Sequence, residues 1–294
     1  MRSVKERAFA KINLYLEVIG KRDDGFHDIR TVMHSVTLCD DVTVSLVPTR
    51  MTEVRIDIEG NPRLPKDSRN LAVKAAELFL ERSGRQGTVH IRMNKRIPVA
   101  AGLAGGSSDA AAVLRAMNRL FDGCYTERAL SGLAAELGSD VPFCLIGGTA
   151  LCEGRGEIIT KLPDASPSSF VIAVSDERVS TPYAYATLDA AYSDFDGSIP
   201  LEGHNKLTGL LSELKKGRIS PVGFYNSFEA VILPTCPAAA RIKEEMLRLG
   251  ADGAMMSGSG PSVVGLFNNR EAAEAAATEM RLLGVVAFVV ASSR

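Results

Sequence analysis

The run Arg96-Ile97-Pro98-Val99-Ala100-Ala101-Gly102-Leu103-Ala104-Gly105-Gly106-Ser107-Ser108-Asp109-Ala110-Ala111-Ala112 constrains this chain more than any other stretch. It is a glycine-rich turn that feeds a helix, so the element before it must end there. Gly102, Gly105 and Gly106 let the backbone take positive φ and approach a ligand closely. Ser107, Ser108 and Asp109 are expected to cap the helix that follows. A helix that opens this way aims unpaired N–H groups and its positive dipole end at whatever fills the loop, and a phosphate is the natural occupant. Gly106 is followed by Ser107 rather than lysine, which excludes the P-loop, and no G-x-G-x-x-G dinucleotide fingerprint occurs here. As a bare pattern, such a turn serves equally well as a structural connection.

With 294 residues, the chain suits two domains or one large one. Apolar residues make up 46% and charged residues 23%, the balance of a soluble globular protein. A net charge of -1 supplies no global field toward nucleic acid or an anionic membrane. Cys39, Cys124, Cys144, Cys152 and Cys236 are scattered and odd in number, which predicts free thiols in a reducing compartment. His27, His34, His90 and His204 fall in no metal-binding spacing, so no dedicated protein metal site is expected. The N-terminus has no apolar leader region and no apolar run reaches membrane-spanning length, so a cytoplasmic location is expected.

Residues 8–18 alternate: Ala8, Ala10, Ile12, Leu14, Leu16 and Val18 share one face, and Phe9, Lys11, Asn13, Tyr15 and Glu17 the other. This predicts a half-buried strand with Lys11 and Asn13 one pleat apart on its exposed face. After a turn at 21–27, strands are predicted near 30–38, 42–47 and 54–58, a helix over 70–82, and a strand over 88–93 leading into the glycine loop. Helical spacing resumes at Ala110, Val113, Leu114, Met117, Leu120 and Phe121, and Thr126 begins a further helix closed by Gly138. A softer boundary falls near 155–168. Beyond it come a strand at 170–174 and helices near 181–192, 205–215, 227–232 and 237–249. The final pattern is strand 252–257, glycine turn 258–260, strand 261–267, helix 270–283 and strand 285–291, half of a split βαβ unit. The class is α+β.

Taken singly, Lys11 reads as a solvated lysine, Asp140 as a turn aspartate and Ser257-Gly258-Ser259-Gly260-Pro261-Ser262 as a hairpin turn. Together, and in this order, they resemble the GHMP kinases. The loop 98–112 is similar to that superfamily's central ATP-binding motif and 253–262 to its C-terminal glycine motif. The resemblance is closer to the branch acting on a cytidine diphosphate substrate that carries an erythritol. The residues that show it are Ala10-Lys11-Ile12-Asn13-Leu14-Tyr15-Leu16, Lys21-Arg22-Asp23-Asp24-Gly25-Phe26-His27, Leu137-Gly138-Ser139-Asp140-Val141-Pro142-Phe143 and Val179-Ser180-Thr181-Pro182-Tyr183-Ala184-Tyr185. That branch usually has tyrosine where this chain has Phe26, which keeps the aromatic face and loses the hydroxyl.

The resemblance implies a two-domain GHMP-kinase fold. An N-terminal ATP-binding domain would span 1–155, and a C-terminal domain with a ferredoxin-like split βαβ unit would span 156–294, with the active site in the cleft between them. It implies transfer of the γ-phosphoryl of ATP, with Mg²⁺, to the 2-hydroxyl of the erythritol, in the non-mevalonate isoprenoid pathway. Asp140 would be the general base, with Lys11 beside it. Pro98, Val99, Ala100, Ala101, Gly102, Leu103, Ala104, Gly105, Gly106, Ser107, Ser108 and Asp109 would wrap the phosphates, with Ser107 or Ser108 toward Mg²⁺ and Asn70 either at the nucleotide or simply capping its helix. Asn13 would hold the polyol. Phe26 and Tyr185 would sandwich the base, His27 would read its edge and Thr181 would meet the diphosphate. Gly258, Ser259 and Gly260 would make room for substrate. No nucleic acid, membrane or obligatory protein partner is implied. The competing readings are a mevalonate or homoserine kinase of the same superfamily, which would have no use for a base pocket, and a nucleotide-binding regulator without catalysis.

Overall fold

The computed structural model describes residues 2–165, 168–192 and 201–293; residues 166–167 of the expected boundary stretch lie outside them. The chain forms two compact units that are not consecutive stretches. The first takes Met1–Ala10, Leu38–Val99 and Ala104–Gly147, and the second Lys11–Thr37, Ala100–Leu103 and Gly148–Arg294. Two long strands, β1 (Arg2–Lys21) and β2 (His27–Val47), contribute one part to each unit.

In the first unit, β4 (Thr88–Asn94) pairs antiparallel with β2 and parallel with β3 (Glu53–Glu59), so Ile91 lies opposite Val44 on one side and Ile56 on the other. The helices are α1 (Leu71–Ser83), α2 (Gly105–Leu120), α3 (Glu127–Leu137) and the short α4 (Val141–Ile146). Their apolar faces close one core with the sheet: Val42, Val44 and Ile91 meet Ala75, Ala76 and Phe79 of α1 and Val113, Leu114 and Met117 of α2. Asn70 caps α1 by accepting from the Ala72 N–H at 3.0 Å. Such a cap contributes about 1 kcal/mol. Burying Phe79 alone contributes ~1.5–3 kcal/mol, so packing rather than capping holds the helix. Thr126 caps α3 as expected, and Gly138 ends it.

The second unit carries an antiparallel sheet of β7 (Ser169–Val174), β9 (Gly253–Met256), β10 (Val263–Phe267) and β11 (Val286–Ala291) in the order β11–β7–β10–β9. The chain order fourth–first–third–second, with α8 (Pro237–Arg248) and α9 (Arg270–Leu282) as crossovers, is the ferredoxin-like split βαβ arrangement. Ile242 and Met246 of α8 and Ala276, Ala277 and Met280 of α9 pack with Val171, Ala173, Met256 and Val263 of the strands. Also in this unit, β5 (Thr149–Glu153) pairs with both β2 and β6 (Ile158–Lys161), and β8 (Tyr225–Asn226) pairs parallel with β1. Its remaining helices are α5 (Thr181–Ala191), α6 (Leu201–Lys215) and α7 (Glu229–Ile232).

Three expectations are corrected. The strand predicted as half-buried is covered on both faces from Ala10 to Val18, so Lys11 and Asn13 are 4% and 2% exposed rather than solvated. The two strands expected at 30–38 and 42–47 are one continuous β2. The cap of α2 is Ala104, in the left-handed region at φ 55°, with no side-chain cap bond; Ser107, Ser108 and Asp109 already lie inside the helix.

The buried His34 ring ties the strands of the second unit together, with Nδ1 2.8 Å from Thr149 Oγ1 and Nε2 3.0 Å from Ser292 Oγ. Burial pushes its pKa down from 6.5 to about 4. Below pH ~6.5 the unfolded chain therefore takes up a proton that the native state refuses. The stability contributed by the neutral ring is full above that pH and is lost as pH falls through about 4. Urea unfolding should show a steeper loss of stability between these values in the parent than in His34→Gln; equal slopes would remove this histidine from the acid response.

Candidate active site

The glycine loop is divided between the two units, and each part has its own supports. On the first unit's side, Asp40 accepts the Ile97 N–H at 2.9 Å and holds the end of β4 where the loop departs. Helix geometry leaves the Gly105, Gly106 and Ser107 N–H groups without intrahelical acceptors, whereas Ser108 N already donates to Ala104 O at 2.9 Å. The expected donor run 102–108 thus ends at Ser107 on this side. A Cβ on Gly105 would meet Ile97 Cγ2 at 3.0 Å and Lys95 Nζ at 3.3 Å.

Ser108 and Asp109 do other work. The Ser108 hydroxyl donates to Phe9 O at 2.6 Å, fixing α2 to β1. Asp109 accepts from Lys95 Nζ at 2.7 Å, and the same amine donates to Asp40. Burial raises the Asp109 carboxyl well above the usual range, and Asp40 adds to this against the opposing pull of Lys95. For Lys95, burial works to lower the pKa, but Asp109 and Asp40 outweigh it and the amine is held above its ordinary value. Sequence reading missed Lys95; its place directly before Arg96-Ile97-Pro98 was the available signal.

The Asn70 amide is engaged at both ends, by Ala72 N and by Pro65 O at 2.9 Å. Asp140 is half-buried at the start of α4, and its side chain does not cap that helix. Val99 and Ala100 are exposed and Pro98 is half-buried, while Ala101 and Leu103 point inward at 3% and 1% exposure.

On the second unit's side, the Gly102 carbonyl is a junction. Lys11 Nζ donates to it at 3.2 Å and to Asn13 Oδ1 at 2.8 Å, and Ser257 Oγ donates to it at 3.2 Å. Asn13 Nδ2 donates to Thr31 Oγ1 at 2.8 Å, and Thr31 Oγ1 donates to Tyr15 O at 2.6 Å. Lys11 N–H bonds Leu103 O at 3.2 Å. The turn 257–260 is held by Asn226 Nδ2, which donates to Met256 O at 2.8 Å and Gly258 O at 2.9 Å. Thr181 Oγ1 lies 3.1 Å from Ser259 Oγ. Lys11, Asn13, Thr181 and the expected glycine turn therefore gather around residues 100–103. Thr31 and Asn226 belong with them and had not been identified; so does Ser257, which the sequence showed only as part of the glycine motif.

Of the expected base-binding residues, Tyr185 lies on α5 and the His27 ring packs against that helix. The His27 ring lies against Tyr185 with centroids 4.4 Å apart and planes 23° apart, and its Nε2 is 2.7 Å from Asp189 Oδ1. Tyr185 meets Phe228 edge-on at 4.9 Å. Phe26 is 53% exposed, with the Arg155 guanidinium 5.0 Å above its ring. A concavity of about 330 Å³ opens among Val18, Lys21, His27, Leu188, Asp189 and Tyr192. Asp189 was missed; it follows Tyr185 by one helical turn.

Gly102 has φ 73°, and a Cβ there would fall 2.1 Å from the Ser257 carbonyl oxygen. Gly102→Ala is expected to cost at least about 2 kcal/mol, lowering Tm by roughly 4–8 °C. A parent-like melting curve would mean that residues 102 and 257 are not packed as described.

Known proteins resemble this chain over nearly its whole length. The family model described as GHMP kinases N terminal domain matches residues 70–148, and that described as GHMP kinases C terminal matches 210–285. The 4-diphosphocytidyl-2-C-methyl-D-erythritol kinase of Gloeobacter violaceus is 44% identical over 94% of this chain and 89% of its own length. The enzyme of that name from Clostridium botulinum is 41% identical over 96% and 98%. A crystal structure of 4-(cytidine 5'-diphospho)-2C-methyl-D-erythritol kinase superposes with TM-score 0.81 at 34% identity, covering 99% of this chain and 100% of that one. Homoserine kinase from Cytophaga hutchinsonii, at 24% identity and TM-score 0.72, shares the fold. A glycine loop split between two supports, in a chain that aligns with such relatives over nearly its whole length, places this protein among the GHMP kinases: it is a phosphotransferase and belongs to the family of 4-diphosphocytidyl-2-C-methyl-D-erythritol kinases.

Proposed function

We propose that this enzyme moves the γ-phosphoryl of ATP to the 2-hydroxyl of the erythritol moiety of 4-diphosphocytidyl-2-C-methyl-D-erythritol, a step of the non-mevalonate isoprenoid pathway, in the cytoplasm. The observation that carries the reading is the buried Lys11 amine, bonded at once to Asn13 and to the glycine-loop carbonyl of Gly102. An ammonium fixed against a phosphate-binding loop is placed to neutralise charge that grows in phosphoryl transfer. Nucleotide binding is assigned to residues 1–155 and the C-terminal GHMP-kinase domain to 156–294.

In this reading the Gly105, Gly106 and Ser107 N–H groups hold phosphate oxygens at the start of α2. Asp140 takes the proton of the attacking hydroxyl as the new P–O bond forms and the bond to the ADP oxygen breaks. Lys11 steadies the transferring phosphoryl and Asn13 the polyol. Mg²⁺ would enter with the nucleotide. The half-buried Ser107 hydroxyl suits it, whereas the Ser108 hydroxyl already donates to Phe9 O. When bound, the ion offsets phosphate charge. Tyr185 and Phe26 supply apolar faces to the base, His27 reads its edge, and Thr181 with Gly258, Ser259 and Gly260 receives the diphosphate.

The deciding assay offers Mg-ATP with the cytidyl substrate, mevalonate and homoserine side by side; turnover confined to either of the latter two would overturn the assignment. Asp140→Ala should abolish turnover while ATP binding, followed by calorimetry, persists, and a near-parent rate would remove Asp140 as the base. Tyr185→Ala should act mainly on the KM of the cytidyl substrate, because it strips binding surface remote from the reacting hydroxyl. A large fall in kcat at constant KM would contradict the stacking role.

A further inference from the structure

Resting on the cytidyl-substrate reading above, we propose that Asp189 is a positioning residue for nucleobase selectivity, acting through His27. Thr181, Tyr185 and Asp189 recur every four residues along α5 and so share one face. The first meets Ser259, the second lies flat on the His27 ring, and the third bonds that ring's edge. Tyr185 thus sets the tilt of the imidazole and Asp189 its rotation within the plane.

The Asp189 carboxylate also bridges both ends of the turn between β1 and β2. Oδ2 receives Lys21 Nζ at 2.7 Å at the end of β1, and Oδ1 lies 2.7 Å from His27 Nε2 at the start of β2. Burial favours raising the Asp189 pKa, but the hydrogen bonds from Lys21 and His27 outweigh it, so the carboxyl sits below the usual range.

An ionised carboxylate only accepts hydrogen bonds. It therefore keeps a proton on Nε2, and in the tautomer that this selects Nδ1 is the ring's acceptor. An acceptor facing a pyrimidine edge favours the amino group of cytosine over the carbonyl of uracil. His27 and Asp189 both line the 330 Å³ concavity, where a base edge can meet this pair. An asparagine at 189 can either donate or accept, so the ring's proton is no longer fixed.

The test is steady-state kinetics of the parent, Asp189→Asn, Asp189→Glu and Lys21→Met with the cytidyl substrate and its uridyl counterpart. Loss of one charge-assisted hydrogen bond corresponds to about a tenfold effect. Asp189→Asn should raise the KM for the cytidyl substrate about tenfold and lower the cytidyl-to-uridyl ratio of kcat/KM by about the same factor. Its kcat should stay within about twofold and its KM for ATP unchanged. Asp189→Glu should recover part of the selectivity, and Lys21→Met should retain it, because His27 keeps its carboxylate. Unchanged selectivity in Asp189→Asn overturns the proposal. So does a parallel rise in the KM for ATP with a lowered Tm, or a Lys21→Met variant that matches Asp189→Asn. A parent inactive on the cytidyl substrate would instead overturn the functional reading itself.

Discussion

The carbonyl of Gly102 organises the polar cluster of the second unit. An ammonium and a hydroxyl both donate to it, and the Ser257 backbone packs so closely that no side chain fits at residue 102. Burying a lysine is costly unless its charge is met by well-placed acceptors. Here the Asn13 amide oxygen and the loop carbonyl supply them. Asn13 is oriented in turn by Thr31, which is oriented by the Tyr15 carbonyl. The amine is thus fixed by a relay of short polar contacts within a strand buried on both faces. In the reaction proposed above, pre-organisation of this kind would remove the need to reorient a flexible side chain as charge develops.

The start of α2 poses a different electrostatic problem. Its dipole and free N–H groups favour an anion, yet the sequence puts an aspartate, Asp109, in its second turn. The Lys95–Asp40–Asp109 cluster resolves this. Burial drives Asp109 toward its protonated form, and Lys95 offsets the carboxylate charge that remains. A carboxylate left unopposed here would repel an incoming phosphate. The same cluster fixes the departure of the loop through Asp40 and Ile97. The charge balance at the start of α2 and the path of the loop that leads into it therefore have a common origin.

Much of the architecture was legible because its periodicities are strong. The apolar spacing of α2 and the strand–turn–strand–helix–strand run at the end of the chain specify their elements directly. Lys11 and Asn13 were placed on the correct face, but that face is covered. Alternation reports which residues share a side and not whether another layer lies over it. Ser107, Ser108 and Asp109 looked like caps because capping residues and first-turn residues have similar composition; the backbone settles the matter by turning at Ala104. Thr31, Lys95, Asn226 and Asp189 escaped notice because each acts through partners distant in sequence, which no local pattern encodes.

The bonds around His34 also bear on how the molecule is made. Ser292 meets this histidine across 258 positions, and Ser293 N–H donates to Ser35 O at 2.8 Å. During synthesis on the ribosome, the strand that carries His34 emerges long before the segment that seals it. The imidazole lacks its Ser292 partner until the 258 positions between them have been translated. Sealing of this histidine is in that sense a late event, coupled to the arrival of the Ser292 segment rather than to the emergence of the first strands.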